Sequence, residues 1–298
     1  MKLAKTIIDI TDISKNYGTK KVLQDVSFAL PKGAICAVLG KEGAGKSTFL
    51  SLLSGLSKVS SGTINRVNYQ NISTEIKQSF LSEKTTLYTR WSGYTQLQYW
   101  RRCKGASEAD LLQILEELQL TSVIDAKIEN LSQDNKKKLT LAGVLMGAPE
   151  ILVLDEPFKS LKQESCVLLR KVLLRLNYEK NTTIIIATRD LTEVASLASN
   201  FAFLRQGRLV EYLSKVELKA KELAEIVLDT KENIKACALL ERELGIYNYL
   251  VSSKQKILIR EEYEVARIVE MLVRNHIGIN ECYLQRLTMA EYYERLVF

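Results

Sequence analysis

The 298-residue chain has a single histidine, His276, and five cysteines at positions 36, 103, 166, 237 and 282, none of them in a CxxC pair. Only His276 and Cys282 come near to a metal-binding spacing, so neither structural zinc nor a disulfide framework is expected, and a reducing compartment fits. Long hydrophobic runs are also missing. The longest apolar stretches, such as Ile151 to Leu154 and Thr183 to Ala187, are strand-sized, far short of the roughly 20 residues a bilayer span needs. No segment is expected to cross a membrane. The start, "MKLAKTIIDITDISKNYG", alternates like a strand and lacks the apolar core and cleavage site of a secretory leader, so a cytoplasmic location is expected. There is no internal repeat and no low-complexity tract.

What is present is ordinary globular composition, 46% hydrophobic and 26% charged, with room for one large domain and one small one. The net charge of +7 is uneven: residues 215–298 hold 13 Lys+Arg against 14 Asp+Glu, leaving 29 against 21 in residues 1–214. All of the basic surplus therefore lies in the first part. Such a surplus suits an anionic ligand or surface; nucleic acid is not the expected partner.

Up to about Leu213, short apolar strands alternate with helical stretches: Ile7 to Ile13, Val22 to Leu30, Ala34 to Leu39, a helix from Lys46, then strands at Ile151 and Thr183. That rhythm implies a largely parallel sheet flanked by helices, with an antiparallel β edge at the N-terminal side. Between about Tyr88 and Gly147 the pattern is helical; "SEADLLQILEELQL" places apolar residues at 111, 112, 115, 118 and 120 on one helix face. Residues 1–213 are thus expected to form one α/β domain with a helical subdomain at about 88–147. Residues 214–298 form a second, α+β domain: strand 224–229, helix 231–243, strands 247–252 and 256–260, helix 262–275, strand 278–285 and a terminal helix 288–297. The order β-α-β-β-α-β is that of a ferredoxin-like unit.

The chemistry is concentrated in two places. "AICAVLGKEGAGKSTFLSLLSGL" is a strand, a glycine-rich turn and a helix, and matches G-x-x-x-x-G-K-[ST] at Gly40, Gly45, Lys46 and Ser47. In the loop Gly40, Lys41, Glu42, Gly43, Ala44, Gly45, the glycines let backbone N–H groups turn toward phosphate, and the helix N-terminus at Lys46, Ser47 and Thr48 adds its positive end. Lys46 is placed to reach the β- and γ-phosphates of ATP and Ser47 to bind Mg²⁺. The second place is "ILVLDEPF", four apolar residues ending in two acids. Downstream of a phosphate loop, Asp155 is the candidate Mg²⁺ holder and Glu156 the group that orients or deprotonates the attacking water.

With these two elements in place, residues 1 to about 213 resemble the nucleotide-binding domain of ATP-binding-cassette (ABC) transporters, a P-loop NTPase-type fold. The match runs in order through "KNYGTKKVLQDVSF", the phosphate loop, "LEELQLTSVIDAKIENLS", "KKKLTLAGVLMGAPEILVLDEP" and "GRLVEYL". The resemblance implies that Tyr17 stacks on adenine; packing at a strand end is the alternative. It also implies a composite site made by two domains head to tail, each phosphate loop facing the other domain's LSGGQ-type signature.

At four family positions this chain departs from the pattern. The signature reads "LSQDN": Ser132 remains, while Gln133, Asp134 and Asn135 replace two glycines and a glutamine. Side chains there would obstruct a γ-phosphate, and Asp134 would add a like charge. The Q-loop glutamine aligns with Glu83, the D-loop aspartate with Lys162, and the switch histidine with Arg189. An arginine keeps positive charge but cannot shuttle a proton near neutral pH; contact with the γ-phosphate and a salt bridge to a neighbouring acid both stay open for it. The departures imply slow intrinsic hydrolysis with binding retained, and favour a heterodimer with a second, complete nucleotide-binding domain.

Three further readings follow. "KKK", 136–138, is expected on a solvated helix face. "YTRWSGYTQLQYWRR", 88–102, would help form the groove where a transmembrane permease docks, with core packing of Trp91 and Trp100 as the alternative. His276 is expected at a helix end. The last 85 residues resemble, more loosely, the C-terminal extension of ABC subunits serving export of, or immunity to, peptides of the bacitracin and lantibiotic kind. Together these resemblances imply an ATP-binding, energy-coupling subunit attached peripherally to the inner face of the cell membrane through its permease.

Overall fold

A computed structural model describes residues 5–67, 76–83, 85–220, 224–252, 255–261 and 263–297. The first four residues of the alternating N-terminal stretch and position 262 of the expected helix 262–275 lie outside them. The chain divides into two compact units, Met1–Leu218 and Lys219–Leu296.

In the first unit, β1 (Thr6–Tyr17) and β2 (Lys20–Pro31) pair antiparallel, with register shifts, and bury Ile7, Ile8, Ile10 and Ile13 of β1 and Leu23, Val26 and Leu30 of β2. The next strand, β3 (Ile35–Leu39), is buried at every residue and leads into α1 (Lys46–Leu53). After α1, β4 (Ser61–Arg66) returns to β1 and completes a three-stranded sheet in the order β2-β1-β4. The next strand, β5 (Gln78–Leu81), lies at one edge of the larger sheet, to which β3 also belongs. A helical segment follows: α2 (Gly93–Lys104), α3 (Glu108–Glu117) and α4 (Gln133–Leu145). Two more wholly buried strands come next, β6 (Ile151–Asp155) and β7 (Thr183–Thr188), joined by α5 (Gln163–Lys180). The short α6 (Leu191–Val194), the strands β8 (Asn200–Arg205) and β9 (Arg208–Ser214), and α7 (Lys215–Ala220) close the series.

The six-stranded sheet has the order β5-β6-β7-β3-β8-β9, parallel except for β9. Continuous apolar runs such as "ICAVL" and "ILVLD" fit central strands covered on both faces. Phe49, Leu50, Leu52 and Leu53 of α1 pack with Ile7, Ile10 and Leu30 of the antiparallel sheet and with Val38, Val153 and Ile185 of the parallel one. Burying a side chain of that size contributes about 1.5–3 kcal/mol, so α1 and its loop are fixed from both sides.

Local signals set the helical segment. Ser92 caps α2, its Oγ accepting from Thr95 N at 3.1 Å, and Gly105 ends that helix in the left-handed region. A reciprocal capping box joins Ser107 and Asp110 at the start of α3. The Trp100 ring lies so close to Gly143 that a Cβ there would meet it at 2.1 Å.

The second unit holds β10 (Ala224–Thr230), α8 (Asn233–Leu244), β11 (Tyr249–Val251), β12 (Ile257–Ile259), α9 (Val265–Arg274), β13 (Ile279–Arg286) and α10 (Met289–Val297). Its sheet is antiparallel throughout in the order β11-β12-β10-β13. This is the ferredoxin-like arrangement, with Ile226, Leu228, Ile257 and Ile259 packed on Leu240, Ile268 and Leu272 of α8 and α9. His276 takes φ 59° just past α9 and donates its N–H to Val273 O, a helix-end position.

Candidate functional site

Strand register assembles the site. Leu39 lies opposite Thr188 and Asp155 opposite Ala187, so the loop after β3, the acids ending β6 and the turn ending β7 emerge level with one another at the carboxyl ends of adjacent strands. In open α/β sheets that edge is where ligands bind.

The loop Gly40–Gly45 is shaped by close approach and by positive φ. A Cβ on Gly40 would lie 2.4 Å from Leu204 O, and Gly45 has φ 100° with Leu23 only 2.8 Å from where its Cβ would be. Neither position accepts a side chain. Ala44 is buried and its carbonyl accepts from Gly207 N at 3.1 Å, while Lys41, Glu42 and Gly43 are exposed. Lys46, at the first turn of α1, is buried and donates through Nζ to Gly40 O at 2.6 Å and Lys41 O at 3.0 Å. Burial lowers its pKa, against the opposing pull of Glu156 and Asp155.

Asp155 is 3% exposed; burial raises its pKa, and a hydrogen bond from Ser47 works against that rise. Its Oδ1 has no hydrogen-bond partner, unusual for a buried carboxylate oxygen. A serine hydroxyl beside a buried, under-coordinated carboxylate is an oxygen donor set that suits a hard divalent cation.

Glu156 adopts φ 45° and is held at three points. Its N–H donates to Ala187 O at 2.9 Å, its carbonyl accepts from Lys137 Nζ at 2.9 Å, and its Oε2 lies 3.2 Å from Thr188 Oγ1. The Thr188 proton is shared with Glu193 Oε2 at 2.7 Å. Burial raises the pKa of Glu156, offset first by Lys46. Glu156 faces a cavity of about 520 Å³ that is also lined by Lys46, Ser47, Glu83, Lys159 and Arg189, among others.

Arg189 reaches across the cavity mouth: Nη1 is 3.0 Å from Glu42 Oε2 and Nε is 3.8 Å from Glu156 Oε1. Of the two roles open to it, the salt bridge to neighbouring acids is present. Glu83 pairs with Lys159 at 2.5 Å, which lowers the glutamate's pKa. Those two residues also line a second cleft of about 410 Å³ with Leu87, Thr89, Gln133 and Lys137.

Two expectations are corrected. Asp134 does not present its charge at the start of α4. It is buried, and its carboxylate accepts from Lys162 N at 2.7 Å and Ser165 Oγ at 2.9 Å, anchoring the first turn of α5. The signature segment therefore exposes Ser132, which caps α4 by accepting from Asn135 N, and Gln133. The "KKK" run is not a solvated face either: Lys138 is buried beside Asp134, and Lys137 is half-buried with its ammonium on Glu156 O. Helical spacing carries the signal, since 134, 138 and 141 share an inward face.

Tyr17 ends β1 with half of its surface exposed and Lys15 Nζ 4.8 Å from its ring centroid, so it is not a buried packing residue. Lys20 and Lys21, opposite Tyr17 and Asn16, line the phosphate-side cavity. Lys162 is exposed at the start of α5. Trp100 packs against Gly143, whereas Trp91 stacks on Tyr88 at 4.6 Å in a cluster whose tyrosines are half-exposed. Sequence reasoning missed Lys137, Lys159 and Thr188. Lys159 was visible as a charge three residues past Glu156; the other two are placed only by the fold.

A phosphate loop after β3, paired acids after β6 and a polar turn after β7 define a P-loop NTPase-type α/β domain. Residues 23–159 match the model of the ABC transporter family, and the chain carries an ABC transporter domain. It is 26% identical to the bacitracin transport ATP-binding protein BcrA of Enterococcus faecalis over 100% of this chain and 98% of that protein. The lantibiotic transport ATP-binding protein SrtF of Streptococcus pyogenes is 29% identical over 68% of this chain and 89% of its own length. Among solved structures, an ATP-binding subunit of an ABC transporter superposes with TM-score 0.64 at 23% identity, covering 72% of this chain and 92% of that one. A dimeric bacterial ABC transporter cassette gives TM-score 0.63 at 20% identity, covering 70% and 98%. Among the described residues, no helix is long and apolar enough to cross a membrane.

Proposed function

We propose that this chain is the ATP-binding, energy-coupling subunit of a membrane exporter, with amphipathic or antimicrobial peptides as the class of cargo. The observation that carries the reading is Asp155: a buried carboxylate with an unpaired oxygen, bonded by Ser47, which lines the same cavity as Lys46 and Glu156. Ser47 and Asp155 would hold Mg²⁺, whose contribution is to neutralise phosphate charge. Lys46 and the loop N–H groups bind the polyphosphate of ATP, and Glu156, fixed through its backbone and Thr188, orients the attacking water and accepts its proton.

Hydrolysis by the chain alone is slow on this reading, because Arg189 cannot relay a proton and is engaged by Glu156 and Glu42. The turning-in of Asp134 narrows the defect at the signature to Gln133 and Asn135. The site's second half comes from another cassette, and a heterodimer is favoured, since in a homodimer every departure would fall in each site. Coupling to a permease at the inner membrane face is supported by the Glu83–Lys159 pair, which borders both the phosphate cavity and the cleft beside the surface aromatics. The names of the similar transport proteins suggest the cargo class.

The Arg189–Glu156 contact also favours a second reading, in which the chain holds ATP as a regulatory ligand and turns over little. Turnover by the assembled transporter separates the two. Energy coupling predicts that Glu156→Gln lowers it at least about 10-fold while nucleotide binding persists, the loss of one well-placed group from a transition-state clamp costing ~10²–10³. Unchanged turnover in Glu156→Gln, with binding abolished in Lys46→Ala, would establish the regulatory role. Arg189→His should raise the rate by restoring a side chain that can relay a proton; a loss would mean that the guanidinium's charge counts for more in turnover than a relay.

A further inference from the structure

The phosphate loop carries an acid, Glu42, at a place where an anionic ligand gains nothing from one. Its carboxylate is 89% exposed and its hydrogen-bond partner is Arg189 Nη1, at 3.0 Å, on the turn after β7. That turn is stiff: Asp190 N donates to Thr188 Oγ1, and Asp190 Oδ1 accepts from Thr192 N at 2.8 Å to cap α6. The arginine backbone is therefore fixed, and the long side chain is the part that can change partners.

We propose that Glu42 is a built-in competitor of the terminal phosphate for Arg189, a charge gate that lowers the affinity of the cavity for nucleoside triphosphate and leaves that for diphosphate nearly unchanged. The proposal rests on the reading of the cavity as an ATP site. The Nε of Arg189 lies 3.8 Å from Glu156 Oε1, so the guanidinium stands beside the group that serves the attacking water, the region of the terminal phosphate. Glu42 competes for the same guanidinium. A dianionic terminal phosphate offers bidentate, charge-assisted contacts that a single solvated carboxylate does not, and it displaces Glu42 from Arg189. A diphosphate offers no group in that region. It leaves Glu42 bound to Arg189. Breaking the pair is thus a cost that falls on triphosphate and not on diphosphate.

The test is equilibrium binding of the full-length chain, with Mg²⁺, to the non-hydrolysable β,γ-imido analogue of ATP and to ADP. It compares the wild type, Glu42→Gln, Arg189→Gln and the double variant. Both side chains face solvent, so the substitutions spare the core. Glu42→Gln is expected to tighten triphosphate about 10-fold and ADP no more than about twofold. Arg189→Gln is expected to weaken triphosphate about 10-fold with ADP within about twofold, and in its background Glu42→Gln adds no more than about twofold for triphosphate. Equal tightening of both nucleotides by Glu42→Gln would reduce the acid to a general repulsion and overturn the gate, as would unchanged triphosphate binding in Arg189→Gln. A wild-type chain that binds neither nucleotide would instead sink the ATP-site reading, and the gate with it.

Discussion

Glu156 and Asp155 are carboxyls placed where burial works against charge, and that sets a trade between function and stability. Burial raises the pKa of both. A carboxyl whose folded-state pKa lies above its unfolded value binds its proton more tightly when folded. Its ionisation therefore lowers stability as pH rises through the unfolded and then the folded value, and the full cost is present above the folded value. Glu156→Gln removes the charge while keeping the shape. The thermal midpoint of the isolated chain at pH 7 should rise by about 1–3 °C, a modest gain because the cavity mouth is wet and screens the charge. That gain should shrink as pH falls through the pKa of Glu156. A fall in midpoint at pH 7 would contradict the account. The same raised pKa predicts that transporter turnover declines on the acid side at a higher pH than an ordinary glutamate would give. These two acids, Lys46 and Ser47 were legible because their motifs sit at a strand end and a helix start. Thr188 and Lys137 were not, since their contacts to Glu156 arise from neighbouring strands and a packed helix.

Between elements, Asp134 ties the start of α4 to the start of α5. Its two carboxylate oxygens satisfy Lys162 N and Ser165 Oγ in a buried setting. Asp134→Ala strands these donors at a cost of about 1–3 kcal/mol. For a unit of this size that is ~2–4 °C in thermal midpoint per kcal/mol. Restoring the family glycine at 134 should destabilise in the same way and not raise ATPase activity; a gain in activity without loss of stability would show that the carboxylate still acts at the signature. Strands β3, β6 and β7 were readable because their burial demands unbroken apolar runs. In contrast, β4 ("SGTINR") has one half-buried residue and β5 is only four residues long, so neither leaves a periodic mark. Such strands are specified by their partners, β1 and β6, more than by their own sequence.

Across the whole molecule, the basic surplus of residues 1–214 and the near-neutral remainder fit a division of labour between the two units. The first concentrates Lys20, Lys21, Lys46, Lys159 and Arg189 around one cavity. The second contains no comparable cluster of candidate catalytic residues among those described, and its antiparallel sheet suits subunit pairing or positioning. The ferredoxin-like order was legible because each strand and helix there has its own apolar pattern. The inward turn of Asp134 was not, because it depends on α5 arriving 28 residues later in the chain. If the basic cavity serves polyphosphate, affinity should fall with added salt, each exposed cation near the phosphates adding to the slope. The most direct test of the central claim is calorimetric titration of the full-length chain with MgATP, beside Lys46→Ala. The account predicts saturable one-site binding by the wild type, weakened at least about 100-fold by the substitution. Equal affinity in the two proteins would contradict it.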